Sequence, residues 1–167
     1  MINLNTKERM LLEDEKTQEQ LCVQKYKDYA SRAKDTELKD LFTQLSNKEQ
    51  QHLDTINQLL NGVLPNVNQQ QGQQQGQQQA QQQGQIPKQV LENMNSQNAQ
   101  SYNGNEHDKM LCQDGLSTEK YVSSTYNTTI FEFRDKNVRQ VLNHIQKEEQ
   151  EHGEKIYNYM SQHGMYN

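Results

Sequence analysis

Leu45-Ser46-Asn47-Lys48-Glu49-Gln50-Gln51-His52-Leu53-Asp54-Thr55-Ile56 sets a Glu-x-x-His pair inside an apolar helical pattern. At helical spacing Leu38, Leu41, Phe42, Leu45, Ile56 and Leu59 form one apolar stripe, and Glu49 and His52 fall in the middle of it rather than on the solvated face. A stripe that breaks its own pattern at a single level marks a place where function is expected.

The break recurs one hundred positions further on, where Val138, Val141, Leu142, Ile145, Ile156 and Tyr159 make a second stripe interrupted by Glu149 and His152. The same offset joins identical residues at Asn5 and Asn105, Met10 and Met110, Leu11 and Leu111, Asp14 and Asp114, Glu19 and Glu119, Tyr26 and Tyr126, Asp35 and Asp135, Gln50 and Gln150, and Ile56 and Ile156. Arg9 and Lys109 share only their charge. No gap is needed along the repeat.

The signals for helix ends place four helices. Helix A is expected over 6–33, with Asn5 as its cap and Glu8 three residues later in capping-box spacing. Its inward line is Leu12, Glu15, Glu19, Cys22, Tyr26, Ala30 and Ala33. Asp35 caps helix B over 36–60, which Gly62 and Pro65 terminate. Helix C, over 106–134, turns Cys112, Glu119, Val122, Tyr126, Ile130 and Phe133 inward, and Asp135 caps helix D over 136–163. Gly115 is the weak point of helix C and reads as a kink or a late start.

The chain thus divides into a first hairpin at 1–61, a Gln-rich crossover at 62–105 and a second hairpin at 106–167. The crossover holds repeats of Gln-Gln-Gln-Gly or Gln-Gln-Gln-Ala between residues 69 and 84, with almost nothing apolar to bury, and a short amphipathic helix is expected at 87–98. Neither hairpin can cover its stripe alone. Two hairpins packed face to face solve that, giving an all-α four-helix bundle of duplicated antiparallel hairpins with one long crossover.

Composition sets the limits. The 167 residues suffice for one domain with a core, yet only 31% are hydrophobic, and the mean hydropathy is −1.22. The apolar residues must therefore be concentrated, and the two stripes are that concentration. The net charge of −5, with no basic run, argues against a nucleic-acid partner. No N-terminal apolar region and no stretch long enough to span a bilayer is present, so neither a signal peptide nor a membrane is expected. Cys22 and Cys112 lack CxxC spacing and read as small core hydrophobes.

The polar residues on the stripes converge. Glu19 lies sixteen residues before Asp35, with Glu49 fourteen and His52 seventeen after it, and in antiparallel helices equal distance from the turn means equal height. Glu119, Glu149 and His152 stand likewise around Asp135. Pseudo-twofold packing then gathers four carboxylates and two imidazoles in one layer. Burying a single unpaired carboxylate costs several kcal/mol, and four together repel one another, so positive charge must sit among them. No Lys or Arg lies on the stripes at that level. Two divalent cations balance four carboxylates, and oxygen with imidazole ligands suits iron or manganese. One Glu from each of two helices plus Glu-x-x-His from the other two is the dinuclear carboxylate pattern. The expected ligands are Glu19, Glu49, His52, Glu119, Glu149 and His152. Tyr26 and Tyr126 read as hydrogen-bond donors to the carboxylates or as ordinary half-buried aromatics. Glu15, facing Gly115 across the repeat, is expected to be solvated at the bundle end, and His107, His144, His163, Glu148 and Glu151 to lie at the surface.

Glu19-x6-Tyr26 and Glu49-x2-His52, with their copies and the flanking Tyr26-Lys-Asp-Tyr-Ala-Ser-Arg-Ala-Lys34 and Asn47-Lys-Glu-Gln-Gln-His52, resemble the rubrerythrin-type helices of the ferritin-like superfamily. The CxxC pairs of a rubredoxin iron are missing. In the second hairpin, Asp108-Lys-Met-Leu-Cys112, the run Thr118 to Ile130, Ile145-Gln-Lys-Glu-Glu-Gln-Glu-His152 and the run Tyr157 to Tyr166 resemble the coat F family of endospore coat proteins.

That resemblance implies a protein made in the mother-cell cytoplasm and deposited on the spore coat, with other coat proteins as partners; assembly into a homo-oligomer stays open. Eight tyrosines and the Gln tract suit a matrix protein, the tract being either a cross-linking substrate or a spacer. The alternative is a di-iron or di-manganese oxidoreductase acting on peroxide or O2 in the spore.

Overall fold

The structure is a computed structural model that describes residues 2–66 and 106–166. Among them are four helices and no strand: α1 (Thr6–Arg32), α2 (Thr36–Leu60), α3 (Glu106–Glu132) and α4 (Lys136–Gln162). They match the expected spans to within two residues. The Gln tract and the helix expected at 87–98 lie outside the described residues.

The start signals work as the sequence implies. The Asn5 side chain accepts from the Glu8 N–H at 2.8 Å while Glu8 accepts from the Asn5 N–H at 2.8 Å, a complete capping box. Asp35 accepts from the Leu38 N–H at 3.0 Å, and Asp135 from the Asn137 N–H at 2.7 Å. Gly62 (φ 77°) and Gly164 (φ 64°) take the left-handed conformation beyond α2 and α4, positions where a side chain would be strained.

All four helices belong to one compact unit of the chain. Helix α1 packs on α2 and α3, and α4 packs on α3 and α2. Lys34, just past α1, meets Asp108 at the start of α3, whereas Glu8 at the start of α1 meets Arg134 just past α3. Helices α1 and α3 are therefore antiparallel, and α2 and α3 run parallel across the diagonal. The two hairpin turns lie at opposite ends of the bundle, and the chain leaves α2 at the far end from its entry into α3.

Each turn is held by the other hairpin. Asp108 accepts from the backbone N–H groups of Lys34 and Asp35 at 2.9 and 3.0 Å, and Glu8 accepts from the Arg134 N–H at 3.1 Å and its side chain at 3.2 Å. Glu8 and Asp108 are one hundred positions apart and both buried, so the pseudo-twofold of the sequence is also that of the bundle ends. Arg134 and the backbone N–H groups hold the Glu8 carboxyl down to about 2 although burial opposes this.

The core is the two stripes closed on each other. Leu12, Leu38, Phe42, Leu45, Ile56, Leu142, Ile145 and Ile156 are buried to 1% exposure or less. Each such side chain contributes about 1.5–3 kcal/mol relative to exposure. Tyr26 stacks on Phe42 at 5.7 Å. Cys22 and Cys112 are free and buried, and burial pushes the Cys112 thiol up to about 12. Ala30 and Ile130, expected inward, are only half-buried. Helix α3 runs through Gly115 without a break: a Cβ there would stand 3.2 Å from Ile156 Cδ1 and 3.6 Å from Tyr26 Cε1. The glycine makes room for close packing and does not start or kink the helix.

Candidate metal centre

Each helix delivers its share to the middle layer: Glu19 from α1, Glu49 and His52 from α2, Glu119 from α3, Glu149 and His152 from α4. All six expected ligands are buried, none more than 3% exposed. They form two groups of four, Glu19, Glu49, His52 and Glu149 on one side and Glu49, Glu119, Glu149 and His152 on the other, with the donor atoms of each group within 4.8 Å of one another. Glu49 and Glu149 belong to both groups. The Glu of each Glu-x-x-His thus stands between the two imidazoles, and the upstream Glu of each hairpin stands at one end.

Distances fill in the pattern. His52 Nδ1 lies 2.7 Å from Glu149 Oε1, 3.2 Å from Glu49 Oε2 and 3.7 Å from Glu19 Oε2. His152 Nδ1 lies 2.9 Å from Glu49 Oε1 and 3.8 Å from Glu119 Oε2. The two rings stack at 5.5 Å with 17° between their planes. Both histidines therefore aim the same nitrogen at the shared carboxylates, as the twofold demands.

The layer is under electrostatic load. Burial raises the Glu149 carboxyl well above the usual carboxylate range, with the Glu49 charge adding and His52 opposing. Burial does the same to Glu19 and also raises Glu119. Glu49 is lowered in spite of its burial, because His152 and His52 both bond it. His52 is raised in spite of its burial by Glu149, Glu148 and Glu49. Without a metal, protons must supply the positive charge that holds the cluster.

Several polar atoms there meet no hydrogen-bond partner: Glu19 Oε2, Glu119 Oε2, both Glu149 oxygens and His152 Nε2. Buried polar atoms without partners are uncommon and call for an explanation. Four carboxylates and the two imidazole Nδ1 atoms converge in two groups, with open oxygens on Glu19, Glu119 and Glu149, and such an oxygen and nitrogen donor set could hold a metal ion.

The tyrosines are not half-buried. Tyr26 and Tyr126 are fully buried, and each donates across to the other hairpin, Tyr26 to Glu119 and Tyr126 to Glu19. One oxygen of each upstream Glu is thereby held and the other left open.

Three expectations are corrected. Glu15 is not solvated; it is 1% exposed and accepts from the hydroxyls of Thr129 at 2.6 Å and Thr125 at 3.0 Å, which α3 brings to it. Glu148 is not a surface residue; it is 6% exposed, accepts from Lys48 Nζ at 2.8 Å and sits 2.9 Å from His52 Nε2. These contacts hold its carboxyl down to about 2 against the opposing effect of burial. His107, His144 and His163 are half-buried; His144 Nε2 lies 3.6 Å from Glu148, and His163 bonds the Tyr159 carbonyl at 2.9 Å. Glu151 does pair with Lys147 near the surface. The offset that repeats every ligand sets Lys48 against Glu148, opposite charges that the twofold brings together across α2 and α4, but the pairing shows only once the packing of α2 on α4 is known.

The fold and this cluster define a four-helix bundle with a central carboxylate and histidine layer. Residues 107–167, which span the second hairpin, match the family model of the Coat F domain. No curated protein and no solved structure matches the chain.

Proposed function

We propose that this protein is a component of the bacterial spore coat, made in the mother cell and laid down among other coat proteins, whose bundle is ferritin-like and holds a dinuclear iron or manganese centre. The Coat F match of the second hairpin supports the location. The observation that carries the metal reading is the pair of four-residue groups sharing Glu49 and Glu149, lined with buried oxygens that lack partners.

In this reading Glu49 and Glu149, which belong to both groups, together with Glu19, Glu119, His52 and His152 would hold the ions, His52 and His152 each giving one nitrogen. Glu148 would accept a hydrogen bond from the Nε2–H of His52 and so leave Nδ1 free to bind, while Tyr26 and Tyr126 orient the upstream carboxylates. Bound metal of this kind supplies Lewis acidity and one-electron redox capacity.

Elemental analysis of the purified full chain tests the reading. About two iron or manganese ions per chain are expected from this ligand count, with Glu49→Gln or Glu149→Gln losing both ions and Glu19→Gln chiefly one. A wild-type protein that takes up no divalent metal sinks it. An oxidoreductase acting on peroxide or O2 is the second reading, favoured by the cavity that reaches Glu119 and Glu149; turnover of peroxide or ferrous iron by the loaded protein separates it from a purely structural centre.

A further inference from the structure

The repeat is broken at the place that decides access to the centre. Between α3 and α4 lies a cavity of about 530 Å³ whose walls include Glu119 and Glu149, with Leu116 and Gly153 beside them and Tyr157 and Tyr166 also in its lining. Glu119 and Glu149 are almost fully buried, so they mark its inner end, while Tyr157 and Tyr166, partly exposed and packed edge to face at 4.9 Å, mark its mouth. Glu119 Oε2 and both Glu149 oxygens, atoms without hydrogen-bond partners, belong to these inner residues.

The first hairpin carries larger side chains at the equivalent positions. Leu53 stands where the cavity has Gly153, and Val23 where it has Ser123. Leu53 and Val23 are both buried, at 9% and 5% exposure. A Cβ placed on Gly153 would meet Leu116 Cδ1 at 3.5 Å and Glu119 Cβ at 3.7 Å, so the glycine leaves space directly against one of the expected ligands.

We infer that the cavity between α3 and α4 is an entrance by which a small donor molecule, of the size of hydrogen peroxide, reaches the centre from the second hairpin's side, the first hairpin being plugged by Leu53 and Val23. The inference rests on the metal reading above and adds a direction and a gatekeeping residue to it. A Cβ on Gly153 would already touch Leu116 and Glu119, so the larger side chain of a leucine there would project into the cavity.

The test uses the full chain loaded with cobalt(II), with azide as the probe ligand followed by the visible cobalt spectrum, beside cobalt content and helical circular dichroism. Gly153→Leu is expected to keep the wild-type cobalt content and weaken azide binding about tenfold or more, since an overfilled site resists a further group. Ser123→Val, which also restores the first hairpin's residue, moves affinity the same way by less and carries the test if Gly153→Leu does not fold. Equal azide affinity in wild type and these variants at equal cobalt content overturns the entrance while leaving the metal centre standing. A wild-type chain that binds no cobalt overturns both.

Discussion

His52 is held from both sides. Glu148 sits 2.9 Å from its Nε2, and the shared carboxylates face its Nδ1. His152 lacks the first of these, for its Nε2 meets no partner and the residue equivalent to Glu148 is Lys48. The two halves of the centre are therefore unequal. Glu148→Gln keeps the side chain's shape and removes its charge, and is expected to weaken metal binding on the His52 side by about ten- to a hundredfold while sparing the His152 side. A metal titration that resolves two sites checks this, the wild type filling the His52 side first; two sites weakened alike would contradict the assignment. The six inward groups were legible because each interrupts an apolar stripe. Glu148 was not, because helical periodicity marks one face, and Glu148 sits at its flank, buried by the crossing of α4 over Lys48 on α2. That crossing is a tertiary fact. Glu15 was misread for the same reason: its partners Thr125 and Thr129 come from α3, and nothing in α1 announces them.

At the scale of the elements, the helix spans came directly from caps. Asn5, Asp35 and Asp135 each have a side chain that satisfies backbone N–H groups the helix cannot, so their positions reveal helix starts without reference to packing. The second task of the first-turn acids stayed hidden. Glu8 closes its own capping box and also holds the turn between α3 and α4 through Arg134. Its folded carboxyl, at about 2, lies below its ordinary 4.5. The stability it contributes is therefore complete above the ordinary value and is lost as pH falls from 4.5 to about 2. Glu8→Gln is expected to melt below wild type at neutral pH, with the gap closing over that interval. Melting curves of the two proteins from pH 7 to pH 2 measure it, and a gap that stays constant in acid would remove the charge from the account.

For the whole molecule, the proposed metal centre implies that four carboxylates in one buried layer strain the metal-free bundle, and cations that bind only the folded chain would stabilise it by mass action. At a metal concentration about a hundredfold above its dissociation constant, one site adds roughly 2.7 kcal/mol, which raises Tm by about 5–10 °C for a domain of this size. Chelation should reverse the rise. Glu19→Gln with Glu119→Gln should show the opposite balance, with a metal-free form more stable than metal-free wild type and little response to metal; calorimetry with and without chelator checks both. The architecture was readable at this scale because one offset without gaps carries caps, stripes and charged interruptions together, and a duplicated hairpin with an uncovered stripe has a natural partner in its own copy. The departures from the repeat were visible as letters, Leu53 against Gly153 and Lys48 against Glu148, but their meaning waited on knowing which sides of the bundle they face.

The exchange of Glu8 and Asp108 between the hairpin turns reaches beyond stability. Neither half keeps the clasp for its own bend; each wears the clasp of the other. A half-length chain bearing one such clasp would leave its own bend unfastened until it met a twin, whereupon two identical halves would fasten each other and assemble the same acidic layer across their seam. The present polypeptide has the logic of such a symmetric pair sewn into a single thread, and the sewing is what freed one half to keep Gly153 while the other kept Leu53.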